Sequence, residues 1–106
     1  MKTKLPLLND EDQQTLRTEA VDLWNKGEFF EFHDVVEEVW KTKTGPEKKF
    51  LQGLILAGVC LHHWRMQNNP SMIKLAKKSL TLMDPFEEGS AGLTLNPIRN
   101  FLSESI

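Results

Sequence analysis

Apolar residues recur at helical spacing through most of the chain, and the breaks between periodic segments fall at capping residues, glycines or prolines. A first helix is predicted to begin at the cap formed by Asn9 and Asp10 and to stop at Gly27. The pattern restarts at Glu28 and continues to about Lys41. So short a break predicts a tight hairpin of two antiparallel helices.

A third helix is predicted from about Pro46 to Gln67, and its apolar residues cover nearly the whole circumference. This pattern predicts the central, most buried helix of the fold. Its small residues Gly53, Ala57 and Cys60 fall on one line. They predict a groove in which a neighbouring helix packs closely.

The remaining elements are a fourth helix, from the cap and proline at Asn69 and Pro70 to about Met83, and a short helix at residues 98–103 after a long loop. No segment alternates as a strand does. The predicted fold is therefore all-α, a compact bundle of four main helices in two antiparallel hairpins plus a short C-terminal helix. A single helical domain over residues 1–106 is expected.

Composition narrows the possible function classes. With 106 residues, of which 40% are hydrophobic and 26% charged, the chain can form one core. A net charge of −2 argues against binding to nucleic acid or to an anionic membrane. Cys60 is the only cysteine, which excludes an intrachain disulfide, and no signal-peptide or membrane-spanning segment is recognised. A cytoplasmic protein is expected.

Two polar residues, His33 and Glu37, fall on the apolar side of the second helix, one turn apart. Three interpretations are open. The pair could be structural, each side chain satisfying the other. It could supply two ligands to a divalent metal ion, which would need more ligands from elsewhere. A carboxylate in apolar surroundings could also orient the imidazole or transfer a proton itself, which would make the pair catalytic.

The central helix offers further candidates in Gln52, His62 and His63. An antiparallel hairpin that turns at residues 42–45 places Gln52 level with His33 and Glu37. The two histidines would then lie roughly 15 Å further along the axis. Gln52 is therefore the predicted neighbour of the pair, and at least one of the histidines is expected to interact with the helix end.

The residues also resemble a known family. The segment 27–40 contains H-x-x-x-E-x-x-W at His33, Glu37 and Trp40, and is followed by the segment 50–55 and by two adjacent histidines. This combination resembles the prokaryotic domain-of-unknown-function family 309 over about Thr15 to Leu82. The resemblance implies an all-helical fold and a metal site suggested by the motif. The sequence departs from the family at Phe32, where a small residue is expected.

The site predicted from these observations is a polar cleft that binds a metal ion or a small polar ligand. Its candidate ligand-binding residues are His33, Glu37, Trp40, Gln52 and His63, with His33 and Glu37 as candidate metal ligands. The alternative is a non-enzymatic protein–protein interaction module, because the two hairpins loosely resemble tetratricopeptide units. That alternative predicts a large exposed apolar patch and no open pocket at His33. The sequence assigns no reaction, substrate or oligomeric state.

Overall fold

The computed structural model describes residues 8–67, 69–90 and 93–104. The predictions for the N-terminal segment and for the side chain of Asn69 lie outside this part of the chain. The described residues form five helices and no strand, which confirms the all-α class. These are α1 (residues 10–25), α2 (Phe29–Trp40), α3 (Gly45–Arg65), α4 (Asn69–Met83) and α5 (Asn96–Glu104). None of these helices is long and apolar enough to cross a membrane.

Helix α1 is not a regular α-helix throughout. It begins with the predicted cap, in which the Asn9 side chain accepts a hydrogen bond of 2.8 Å from the backbone N–H of Asp12. The segment Leu16–Ala20 is π-helical, and the backbone N–H of Val21 bonds to the carbonyl of Leu16, five residues earlier. The α-helical pattern resumes in Val21–Asn25. The spacing of apolar residues in the sequence did not reveal this π segment.

The predicted stop at Gly27 is confirmed. Gly27 has a φ of +77°, which glycine adopts without steric strain. Its N–H bonds to the carbonyl of Trp24, and the N–H of Glu28 bonds to the carbonyl of Leu23. This pair of bonds is a Schellman motif, which satisfies the last carbonyls of α1 and starts α2 almost at once.

Helix α3 lies between α2 and α4 and carries the largest share of the core. The predicted small-residue groove is confirmed on its α4 side: a Cβ atom at Gly53 would lie only 2.6 Å from Cγ of Met83. Hydrogen bonds fix the same approach, because the Ser79 hydroxyl donates to the Gly53 carbonyl (2.7 Å) and the Cys60 thiol to the Met72 carbonyl (3.3 Å). The close contact therefore includes backbone as well as side chains.

On its other side, α3 is equally close to α2. A Cβ atom at Gly58 would lie 2.7 Å from Cδ1 of Phe32 and 3.2 Å from the carbonyl oxygen of Phe29. The ring of Phe32 is buried, with 4% of its surface exposed, and stacks edge-on against Trp24. The large side chain of Phe32 thus fits because position 58 has no side chain.

Helix α5 is attached to the end of α4 by two charged side chains. The carboxylate of Glu88 accepts bonds of 2.6 Å from the backbone N–H groups of both Leu95 and Asn96, at the start of α5. From within α5, the guanidinium of Arg99 donates to the carbonyls of Met83 (2.9 Å) and Phe86. These contacts close the bundle at its C-terminal end.

Candidate functional site

His33 lies on α2 with 16% of its side chain exposed. Its Nδ1 is 2.6 Å from the carbonyl oxygen of Phe30, one turn earlier. Because a carbonyl oxygen only accepts, Nδ1 carries the proton and donates. In the neutral imidazole, Nε2 then has no proton and presents its lone pair as an acceptor. The backbone of α2 therefore selects one tautomer of His33.

Two carboxylates lie close to Nε2 of His33. Oδ1 of Asp34 is 3.6 Å away and Oε2 of Glu37 is 3.9 Å away, both longer than an ordinary hydrogen bond. Glu37 is not buried, since 41% of its side chain is exposed, so it lacks the apolar surroundings that the structural-pair and catalytic interpretations assumed. The buried positions of α2 are Phe32, Val36 and Val39, a narrower stripe than the predicted one, and Glu37 lies at its edge. Water solvates this carboxylate, so it needs no buried partner.

A cleft of about 350 Å³ opens between α2 and α3. Its described lining consists of Phe30, His33, Val59, His62 and His63. Three of the rings form a row, because Phe30 lies 4.9 Å from His33 and 5.4 Å from His62, measured between centroids. His63 follows 6.2 Å from His62. The cleft thus combines three imidazoles with one aromatic and one aliphatic side chain.

This grouping corrects the neighbours of His33 that were predicted from the turn. The prediction placed Gln52 beside His33 and put the two histidines roughly 15 Å away. Instead, Phe30 packs against His62, and His33 shares one cleft with His62 and His63. The side chains of an α-helix lean toward its N-terminus, so in an antiparallel pair the residues of the two helices lean in opposite directions. The side chains of His33 and His62 therefore lean toward each other. The prediction compared only the heights of backbone positions along the helix axes and did not include this lean.

Both walls of the cleft lie within a recognised family domain. The model of a domain of unknown function, DUF309, matches residues 18–75. The chain belongs to the DUF309 family. The resemblance seen at His33, Glu37 and Trp40 is therefore confirmed.

Two similar proteins extend the comparison. An uncharacterized protein of Aquifex aeolicus (strain VF5) is 34% identical over 99 residues, which are 92% of this chain but only 30% of the Aquifex protein. The chain thus spans less than a third of that relative's length. The crystal structure of a conserved hypothetical protein from Thermus thermophilus superimposes with a TM-score of 0.70 at 30% identity. The match covers 82% of this chain and 87% of the Thermus protein.

The DUF309 motif residues separate in space. His33 lines the cleft, whereas Glu37 is outside the described lining and approaches His33 with its Oε2 at 3.9 Å from Nε2. Trp40 is not among the lining residues, and Lys48 Nζ lies 4.4 Å from the centre of its ring, a cation–π contact. Gln52 is half-buried on α3 and is also outside the lining. Of the predicted residues, His33 and His63 therefore share the cleft.

Sequence reasoning missed two contributors to the cleft, Phe30 and Val59. Phe30 lies one turn before His33 on α2, and this position is a signal for the cleft. Val59 lies on the apolar central helix and carries no such signal. That helix was predicted to be the most buried one, yet 49% of the surface of Trp64 is exposed and its ring packs against Phe101. Periodicity near the end of α3 did not distinguish a buried face from an exposed one.

The donor set of the DUF309 cleft bears on the predicted metal ion. Among residues 8–67, 69–90 and 93–104, no group of three or more His, Cys, Asp or Glu side chains is arranged to hold a metal. A metal at His33 and Glu37 would thus have two protein ligands from this motif, fewer than the three or four of ordinary zinc sites. The same atoms can instead accept hydrogen bonds from a ligand.

Proposed function

We propose that the chain binds a small polar ligand in the cleft of Phe30, His33, Val59, His62 and His63. The observation that carries this proposal is the 2.6 Å hydrogen bond from Nδ1 of His33 to the Phe30 carbonyl. That bond holds the imidazole in one orientation and one tautomer before a ligand arrives. A side chain held in place in this way loses little conformational entropy on binding.

The charges near His33 favour a ligand that donates hydrogen bonds. In the neutral imidazole the Nε2 lone pair is an acceptor, and the carboxylates of Asp34 and Glu37 within 4 Å of it are acceptors with negative charge. Phe30, with 52% of its surface exposed, and Val59 supply apolar contact for the carbon atoms of the ligand. The ligand class that fits is a small organic cation with an ammonium or guanidinium group.

The test is a nuclear magnetic resonance titration that follows the imidazole signals of the three histidines. Methylguanidine is the first probe, Zn²⁺ the second, and inorganic phosphate a probe of opposite charge. Methylguanidine is expected to shift the His33 signals saturably, and phosphate is not. Stoichiometric Zn²⁺ binding lost in His33→Ala would instead support the metal ion that the motif suggested.

A matched pair of variants separates the cleft from the general charge of α2. Glu37→Gln removes the carboxylate 3.9 Å from His33, whereas Glu38→Gln removes one that is paired with Lys41 at 3.0 Å. We expect Glu37→Gln to weaken methylguanidine binding by about threefold to tenfold, a modest effect because the carboxylate is partly exposed to water. Equal weakening by the two substitutions, or no saturable shift with any probe, would contradict the proposal.

The second candidate function is contact with another protein. It is favoured by three exposed apolar side chains, Phe30, Trp64 and Met66, with 52%, 49% and 66% of their surfaces exposed. The open cleft at His33 argues against it, because the interaction-module interpretation predicted none. Sedimentation of the chain over a range of concentrations tests whether a second copy is the partner. A mass that rises with concentration and falls back in Trp64→Ser would support it, and a constant monomer mass would exclude self-association.

A further inference from the structure

A second cavity, separate from the histidine cleft, lies between α1, α2, α3 and the segment that leads into α5. Its volume is about 130 Å³. The two sites share no described lining residue, since α2 contributes Phe32 and Val36 to this cavity and Phe30 and His33 to the cleft. A ligand in one would therefore leave the other free.

The cavity has an apolar floor and an open rim. The floor is made of buried side chains from α1, α2, α3, the segment before α5 and α5 itself, each with 9% or less of its surface exposed: Leu16, Ala20, Phe32, Val36, Leu54, Leu93 and Ile98. The rim consists of exposed residues, with Val21 and Asn25 one turn apart on α1 facing Thr94 and Pro97. An opening between α1 and the start of α5 thus leads to an apolar interior.

The chemistry of the lining limits what can enter. Among the described residues that line the cavity, none carries a charge, and the polar groups are the Asn25 amide and the Thr94 hydroxyl at the rim and the indole N–H of Trp24. A charged group would lose its hydration on entering without gaining a partner. Enclosed apolar cavities of about this size take up molecules such as benzene, and the apolar floor offers the same kind of contact below an open rim.

The π segment of α1 forms part of the wall. Its two buried residues, Leu16 and Ala20, both line the cavity. Short π segments inside helices occur frequently at functional sites. We infer that this cavity is a binding site for a small, uncharged, largely apolar molecule, of about the size of a single aromatic ring.

The experiment is a titration of the whole chain, labelled with ¹⁵N, with benzene and with benzoate. Benzene is expected to shift the Trp24 indole and the Ala20 and Val36 amide signals saturably. Benzoate, which has the same ring and a charge, is expected to bind at least tenfold more weakly. Absence of saturable shifts up to the solubility limit of benzene would overturn the inference.

Three variants distinguish the cavity from weak surface binding. Ala20→Leu fills the cavity and is expected to abolish the benzene shifts; unchanged shifts in a folded variant would overturn the inference. Val36→Ala enlarges the cavity, while Val39→Ala deletes the same atoms from a buried position of α2 outside the lining. Val36→Ala should raise the affinity for toluene relative to benzene at least threefold. Equal ratios in the two valine variants would also overturn the inference, even if Ala20→Leu does not fold.

Discussion

Replacing Gly58 by alanine should destabilise the packing of α2 on α3, although alanine is the better helix former. The new Cβ would lie 2.7 Å from Cδ1 of Phe32 and 3.2 Å from the backbone oxygen of Phe29. Overpacking of this kind costs about 1–3 kcal/mol. The gain in helix propensity offsets about 1 kcal/mol of that. The expected net loss is therefore about 1 kcal/mol, the middle of a range from about 0 to 2 kcal/mol, and it lowers Tm by roughly 5 °C in a chain of this size.

The assay is urea unfolding followed by far-ultraviolet circular dichroism, with the slope of the transition as a check that only stability changes. The decisive comparison repeats Gly58→Ala in a Phe32→Val background, where the ring carbon that causes the clash is absent. There the alanine should be neutral or stabilising, so the two substitutions should show a coupling energy of at least about 1 kcal/mol. An unchanged Tm in the single variant, or equal effects in both backgrounds, would refute the reasoning.

Three further predictions concern contacts outside the cleft. Glu88→Ala removes the acceptor for two backbone N–H groups at the start of α5, and it should lower the free energy of unfolding by about 1–2 kcal/mol. Arg99→Met should lower it by a similar amount. An unchanged midpoint of urea unfolding would contradict the described attachment of α5. Burial raises the pKa of the Cys60 thiol from 9.0 to about 11, so the native chain should not react with a thiol reagent at pH 8. Because the unfolded thiol ionises first, this contribution to stability is full below pH 9 and is lost as the pH rises toward 11. Asp12→Asn breaks a partly buried ion pair with Lys43 (2.5 Å) and should lower the free energy of unfolding by about 1 kcal/mol. In a Lys43→Met background, where the pair is already absent, the same substitution should have no effect in urea unfolding.

Most of the fold could be predicted because local chemistry fixes it. The cap at Asn9, the Schellman turn at Gly27 and the end of α4 before Pro85 each depend on a few adjacent residues, which the sequence displays directly. The groove at Gly53 was also predictable, since small residues on one line of a central helix leave room for a neighbour. The π segment could not be predicted, because one wide turn with hydrogen bonds between residues five apart hardly changes the spacing of apolar residues over a helix of this length.

The candidate site was only half predictable, because it depends on how two helices meet. His33 was identified from its place in an apolar stripe, and this assignment needed α2 alone. Its neighbours on α3 depend on side-chain direction across the hairpin, and the opposite lean of the side chains on the two helices brings His62 and His63, and not Gln52, into the cleft with His33. The exposure of Glu37 likewise depends on how deeply α2 sits against α3, which helical periodicity does not determine.

The π segment in α1 also fixes how the chain can tolerate changes in length. Its extra residue puts Asp10–Thr15 out of phase with Val21–Asn25, so that Asp12 reaches Lys43 while Trp24 packs against Phe32. Winding Leu16–Ala20 into a uniform α-helix without removing a residue would turn the upstream part by about 100° relative to the downstream part and separate Asp12 from Lys43. Deleting one residue within Leu16–Ala20 would remove the wide turn instead and leave the two flanking parts in their present relative orientation. A single-residue deletion inside the π segment should therefore be tolerated better than one within Val21–Asn25, which would turn the upstream part by about 100°.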